Sequence, residues 1–166
     1  MRALAILACL VLAGCDSEPP PAAADVPGLP FSSVHDLRLD GKPLRAQVAV
    51  TETERTQGLT GVVPGADQGM IFVYPAPAKA RFWMKDTPAD LDIGFFDREG
   101  RLLQVRSMRA QDTEATESAS DQVKFALEMR QGWFAEAGIR EGARLELYTL
   151  VNALRARGFN PTRLGL

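Results

Sequence analysis

Three side chains in one short stretch have the types and spacing to hold a small molecule or to act on one. They are Trp83, Lys85 and Asp92, within ARFWMKDTPADLDIGFFDREG from Ala80 to Gly100. An indole plate, an ammonium and a carboxylate on one surface can orient a small polar ligand such as a sugar or a carboxylate metabolite, and Thr87 adds a hydroxyl. The same set admits a hydrolase or lyase in which Asp92 works with Lys85. Asp90 offers a second carboxyl for general acid and base work, but no histidine lies nearby. An ordinary reading competes with these: a Lys85–Asp92 ion pair across two strands, beside a core tryptophan and a turn fixed by Thr87 and Pro88, accounts for all four residues without a ligand.

Strand alternation decides which of these groups can meet. In Leu91 to Asp97, Leu91, Ile93 and Phe95 share one face, and Asp90, Asp92, Gly94 and Phe96 share the other. In the preceding run, Phe82 and Met84 oppose Arg81, Trp83 and Lys85. A hairpin through Asp86 to Asp90 would place Trp83, Lys85 and Asp92 together. Phe82, Met84, Leu91, Ile93 and Phe95 would then form the core.

Other chargeable groups have plainer readings. Glu128 interrupts the apolar strand Phe125-Ala126-Leu127-Glu128-Met129, where an ionised carboxylate is costly unless paired. Arg55 or Lys85 is its expected partner, in structure rather than catalysis, and Arg55 and Glu128 join Trp83, Lys85, Asp92 and Thr87 as the six candidates for ligand contact. Asp97 opens a turn to Gly100 and is expected to bond its own backbone. His35 is the sole histidine, which excludes a multi-histidine metal site, and it is expected on the surface of an edge strand. Asp112, Glu114, Glu117 and Asp121 lack the glycine-pivoted spacing of a calcium loop and read as a solvated loop. There is no phosphate loop, dinucleotide fingerprint or nucleophile elbow. No metal or cofactor is therefore expected, and binding is favoured over catalysis.

The elements that must position these groups are short. Val34 to Leu39 and Leu44 to Val50 flank Asp40-Gly41-Lys42-Pro43 as a hairpin. Thr51-Glu52-Thr53-Glu54 has the pattern of a capping box, predicting a helix that runs to about Gln57 and stops at Gly58. Strands are predicted over Met70 to Tyr74, Ala80 to Lys85, Leu91 to Phe96, Leu102 to Met108, Val123 to Met129 and Ala143 to Leu150. One or two helical turns are predicted over Trp133 to Ala137, with a loop over Gln111 to Asp121. The fold class is mainly β (α+β): an antiparallel curled sheet forming a small barrel or sandwich with two short helices. The domain spans 31–150, and 151–166 is a tail with a short helix and a loose end.

The N-terminus reads as an export signal. Met1-Arg2 is followed by an apolar run, Ala3 to Leu12, too short for the about 20 residues that span a bilayer. Leu12-Ala13-Gly14-Cys15 is similar to a bacterial lipobox, so residues 1–14 read as a signal peptide and Cys15 as the lipidated first residue of the mature chain. Residues 15–30, with five prolines, form a spacer of polyproline bias. The chain is expected as a periplasm-facing lipoprotein of the bacterial envelope, with Asp16 tilting it toward the inner membrane. Cys9 leaves with the signal and Cys15 carries lipid, so no disulfide or thiol chemistry remains. Without Arg2 the basic count falls from 19 to 18 against 21 acidic residues, a net charge of −3 that does not attract nucleic acid. The partners expected are the membrane through the anchor, and a small polar ligand or another envelope protein. A role as an accessory subunit, docking through the tail, is the further alternative.

The order of motifs also resembles a known family. Thr51-x-x-Glu54-Arg55-x-x-Gly58-Leu59, Gly69-Met70-x-Phe72-x-Tyr74-Pro75, Phe82-Trp83-Met84-Lys85-Asp86-Thr87, Leu91-Asp92-Ile93-x-Phe95-x-Asp97-x-x-Gly100, Ala126-Leu127-Glu128 and Gly138-Ile139-x-x-Gly142 resemble the domain-of-unknown-function 192 family over about Gln47 to Leu147. Members are commonly exported or lipid-anchored, and the resemblance implies no particular activity. The chain departs from the family pattern at Thr60, where a methionine is usual, at Gly61, where a basic residue is usual, and at Asp86, where asparagine is usual. Those changes alter the charge and apolarity beside the first helix and beside Lys85.

Overall fold

The computed structural model describes residues 28–166. The expected signal peptide, Cys15 and the expected linker up to residue 27 lie outside the described residues.

The hairpin forms as its turn dictates. β1 (His35–Leu39) pairs antiparallel with β2 (Lys42–Ala49), joined by Asp40 and Gly41 at φ 51° and 77°. Two successive positive φ angles match the right-handed twist of the flanking strands, and Asp-Gly is a favoured pair there. α1 (Glu52–Gln57) carries the capping box: the Thr51 hydroxyl accepts from the Glu54 amide, and the Glu54 carboxylate accepts from the Val50 and Thr51 amides. This helix carries the chain to β3 (Gln68–Ala78), which runs parallel to β2. That parallel pair makes the sheet mixed.

β4 (Arg81–Phe82), β5 (Leu91–Phe96), β6 (Leu102–Met108), β7 (Thr116–Glu117) and β8 (Val123–Arg130) complete the strands. The six-stranded sheet has the order β1-β2-β3-β8-β5-β6, and among the described residues β4 pairs with β7 alone, in a separate ribbon. The fold is mainly β, of α+β type, and its curled sheet does not close into a barrel. The expected strand over Ala143 to Leu150 is reduced to isolated bridges, Leu145 to Leu39 at one edge and Arg144 to Arg101 at the other. α2 (Trp133–Glu136) follows β8 directly.

The chain then turns helical at α3 (Leu147–Ala156), because Leu147, Leu150 and Leu154 lie at helical spacing and the last two are buried. The tail is not loose. A 3-10 turn, Pro161–Leu164, buries Pro161, and Phe159, Leu164 and Leu166 pack on the core. The linker is also tied at its end, where the Leu29 amide donates to the Ala156 carbonyl at 2.8 Å.

The sheet buries both faces. Leu37, Val48, Ile71, Phe96, Phe125 and Leu127 pack with α2 and α3 on one side. Met70, Phe72, Leu91, Ile93, Phe95 and Ala126 pack on the other, beneath Leu59, Phe82 and Met84. Gly69 lets β3 lie close to β8, since a Cβ there would stand 2.0 Å from the Glu128 carbonyl oxygen.

Candidate functional site

A cleft of about 360 Å³ opens over this second face, between α1 and the segment from Arg81 to Thr87. Phe72 and Tyr74 of β3, Phe82 of β4, and Trp83 form its aromatic walls, and Glu128 of β8 lies at its floor. Phe72 and Phe82 meet edge to face at 4.9 Å. Arg55 enters from α1, Arg81, Lys85 and Thr87 from the facing segment, and Glu52 stands on the same rim. Five of the six residues singled out from the sequence thus line one cavity: Arg55, Trp83, Lys85, Thr87 and Glu128.

Asp92 does not join them. β5 alternates as expected, but Leu91, Ile93 and Phe95 face the cleft side of the sheet, whereas Asp92 lies 6% exposed away from it. Its Oδ1 accepts from the Ser107 hydroxyl at 2.6 Å and its Oδ2 from the Gly132 amide at 2.8 Å. Gly132 has φ 85°, a conformation that favours glycine, so Asp92 clamps the turn that launches α2. The expected hairpin between the runs Ala80 to Lys85 and Leu91 to Phe96 is absent, because β5 pairs with β6 and β8 instead. Neither the Lys85–Asp92 ion pair nor an acid and base built from them is formed. Asp90 likewise serves structure, accepting from the Ala110 amide at 2.7 Å. Asp97 accepts from the Glu99 and Arg101 amides, as its turn position predicts.

The charges of the cleft are unequally satisfied. Arg55 donates from one nitrogen to the carbonyls of Val50 and Val73 and stacks over Tyr74 at 5.4 Å. Lys85 places its ammonium 5.8 Å from the centre of the Trp83 ring. Among the described residues neither cation has a carboxylate partner, whereas Arg81 is held by Glu117 at 3.2 Å. Glu128 is 4% exposed, and its carboxyl forms no hydrogen bond or ion pair among the described residues. The pairing expected with Arg55 or Lys85 is not made: Arg55 is turned to backbone carbonyls and Lys85 to the indole. Burial alone pushes the Glu128 carboxyl up to about 8, so it is largely protonated at neutral pH. Burial also pushes the Tyr74 phenol up to about 12, with Arg55 opposing and Glu128 adding.

Sequence reasoning missed the aromatic walls, although Phe72, Tyr74 and Phe82 stood within the quoted motifs. It also missed the logic of position 86. Asp86 has φ 58°, a region in which asparagine and aspartate are enriched, so the exchange of the usual asparagine leaves the backbone intact. Its carbonyl accepts from the Gly61 amide at 2.9 Å, and Thr60 lines the cleft. The three departures from the family pattern therefore sit together at one rim. His35, expected at a surface, lies half-buried on the edge strand with its Nε2 enclosed and unpartnered, its basicity lowered by burial and then by Arg157. Among the described residues no three histidine, cysteine, aspartate or glutamate side chains are grouped to hold a metal ion.

The fold and cleft define a small α+β domain with one aromatic-walled site on the outer face of a curled sheet. The chain belongs to the domain-of-unknown-function 192 family, described as Uncharacterized ACR, whose profile matches residues 35–147. Two solved structures are similar to it at 26% identity. One, from Sinorhizobium meliloti 1021 and provisionally named a transcription regulator, has a TM-score of 0.66 and covers 72% of this chain and 97% of its own. The other, a protein of unknown function from Novosphingobium aromaticivorans DSM 12444, has a TM-score of 0.65 and covers 78% of this chain and 99% of its own. No curated protein matches the chain.

Proposed function

We propose that this chain is a lipid-anchored protein of the bacterial envelope, facing the periplasm, whose domain binds a small polar ligand without catalysing a reaction on it. The observation that carries this reading is the cleft, where Trp83, Lys85, Arg55, Thr87 and Glu128 converge on one cavity. Aromatic walls with a few polar groups are the usual construction of a small-molecule site. The hydrolase or lyase alternative loses its support, because both oxygens of Asp92 are bonded to Ser107 and Gly132. Docking through the tail loses support as well, since Ala153, Leu154 and Pro161 are buried in this domain. A chain with 19 basic and 21 acidic residues has no excess of positive charge to favour a nucleic-acid partner.

The anchor rests on Leu12-Ala13-Gly14-Cys15. Cys15→Ser is expected to move the protein from the membrane to the soluble fraction, and a chain that stayed in the membrane would contradict lipidation. For the site, tryptophan fluorescence of the full-length protein is followed while sugars, amino acids and carboxylates are added. Ligand entry is expected to change the emission of Trp83, which is 57% exposed at the cleft edge. Trp83→Ala is expected to abolish that response, and a response that survived would place binding elsewhere.

A further inference from the structure

Within the binding role proposed above, on which this inference rests, we infer that the ligand is a small organic acid, its carboxylate held by Arg55 and Lys85 and hydrogen-bonded to the buried Glu128 carboxyl. Three observations converge. Arg55 and Lys85 both line the cleft, and neither is neutralised by a carboxylate among the described residues. Each also has an aromatic ring beneath it, Tyr74 and Trp83 respectively, so the protein's own cations already occupy those π faces. A ligand cation would meet occupied rings and like charge. Thirdly, Glu128 is more than nine-tenths buried and unpartnered on the same cavity.

The surroundings of Glu128 support a neutral carboxyl acting as a donor. Its cross-strand neighbours, Met70 on β3 and Ile93 on β5, are apolar and stabilise no charge. The chargeable groups that share its cleft are Tyr74 on β3, Arg55 and Glu52 on α1, and Arg81 and Lys85 on the facing segment. Tyr74 stays protonated across the neutral range, Arg81 is engaged by Glu117, and Glu52 lies exposed on the rim. A carboxylate ligand uses what is left: two cations with no carboxylate partner among the described residues, and a buried acid at the cleft floor to which no described protein group is bonded.

The sign of the pH dependence tests this. Thermal shift on the full-length protein is measured with benzoate and succinate, with choline as a cation and glucose as a neutral polyol, at pH 6.5 and pH 9.5. At least one of the two acids is expected to raise the melting temperature at pH 6.5. Its affinity is expected to fall about thirtyfold by pH 9.5, as the protonated fraction of a carboxyl titrating near 8 shrinks to about 3%. Glu128→Gln, which donates without titrating, is expected to flatten that dependence, and Lys85→Met to weaken acid binding at both pH values. Binding of choline or glucose with both acids silent would overturn the inference while leaving the binding role intact. Acid binding that Glu128→Gln leaves equally pH-dependent would remove Glu128 from it. Silence from all four probes would count against both.

Discussion

Of the chargeable side chains that the described domain buries, Glu128 and Arg157 are treated in opposite ways. Arg157, 8% exposed, donates to the Leu29 carbonyl, the Val48 carbonyl and the Glu54 carboxylate, and lies over the rings of Phe31 and Phe159. Burial by itself would raise the Glu54 carboxyl, but the Thr51 and Val50 amides and Arg157 outweigh it and hold it below the usual range. This knot ties the linker end, β2, the α1 cap and the tail into one unit. Lys124 follows the same rule, with its ammonium on the carbonyls of Tyr74, Pro75 and Leu164. Glu128 has no such partners among the described residues and borders a cavity. A buried chargeable group with its bonds made belongs to the architecture. One with none, facing a cleft, is left for something that arrives.

The comparison can be broken by mutation. Arg157→Met is expected to have the largest effect, a loss of about 3–5 kcal/mol, because it strands Glu54 in a partly buried site. Urea denaturation measures it, and a loss below about 1 kcal/mol would mean that the knot is not structural. Asp92→Asn comes next. It keeps one acceptor of two and is expected to cost about 1–3 kcal/mol while leaving ligand affinity unchanged. A selective loss of binding would return Asp92 to the site.

Glu128→Gln is expected to act in the other direction. A carboxyl whose folded value is raised from 4.5 to about 8 holds its proton while the unfolded chain has lost it, so the wild type loses stability as pH rises across that window. Glu128→Gln is thus expected to be more stable than the wild type at pH 8, with the gain shrinking toward pH 4.5, as denaturation curves at the two pH values would record. A gain independent of pH would contradict the assignment. The smallest stability effect is expected for Trp83→Ala, within about 0.5 kcal/mol, since the side chain is mostly exposed. A large loss would make Trp83 part of the core and remove it from the candidate site.

Local patterns were legible in the sequence wherever their partners lay close in the chain. The Thr51–Glu54 box, the Asp40-Gly41 turn and the bounds of β5 and β6 follow from contacts spanning a few residues. Glu128 was found because a carboxylate breaks an apolar strand, a signal that needs no tertiary information. Arg157 went unnoticed because its partners lie 103 to 128 residues away. Asp92 was placed on the wrong surface through one assumption, that consecutive strands pair. Its face within β5 was read correctly, but β4 left the sheet to pair with β7. Helix α3 was mistaken for a strand over Leu147 to Leu150 because alternation across Ala143 to Leu150 masked the helical spacing that begins at Leu147.

The central claim is that Glu128 is a neutral, unpaired acid at the floor of the cleft. The most direct test is the titration of its side-chain carboxyl carbon by NMR in the ligand-free protein. The account predicts an unchanged shift through pH 6 and a midpoint near 8. A midpoint near the ordinary 4.5 would show a solvated or paired carboxylate, and would contradict the reading of the cleft on which the ligand class depends.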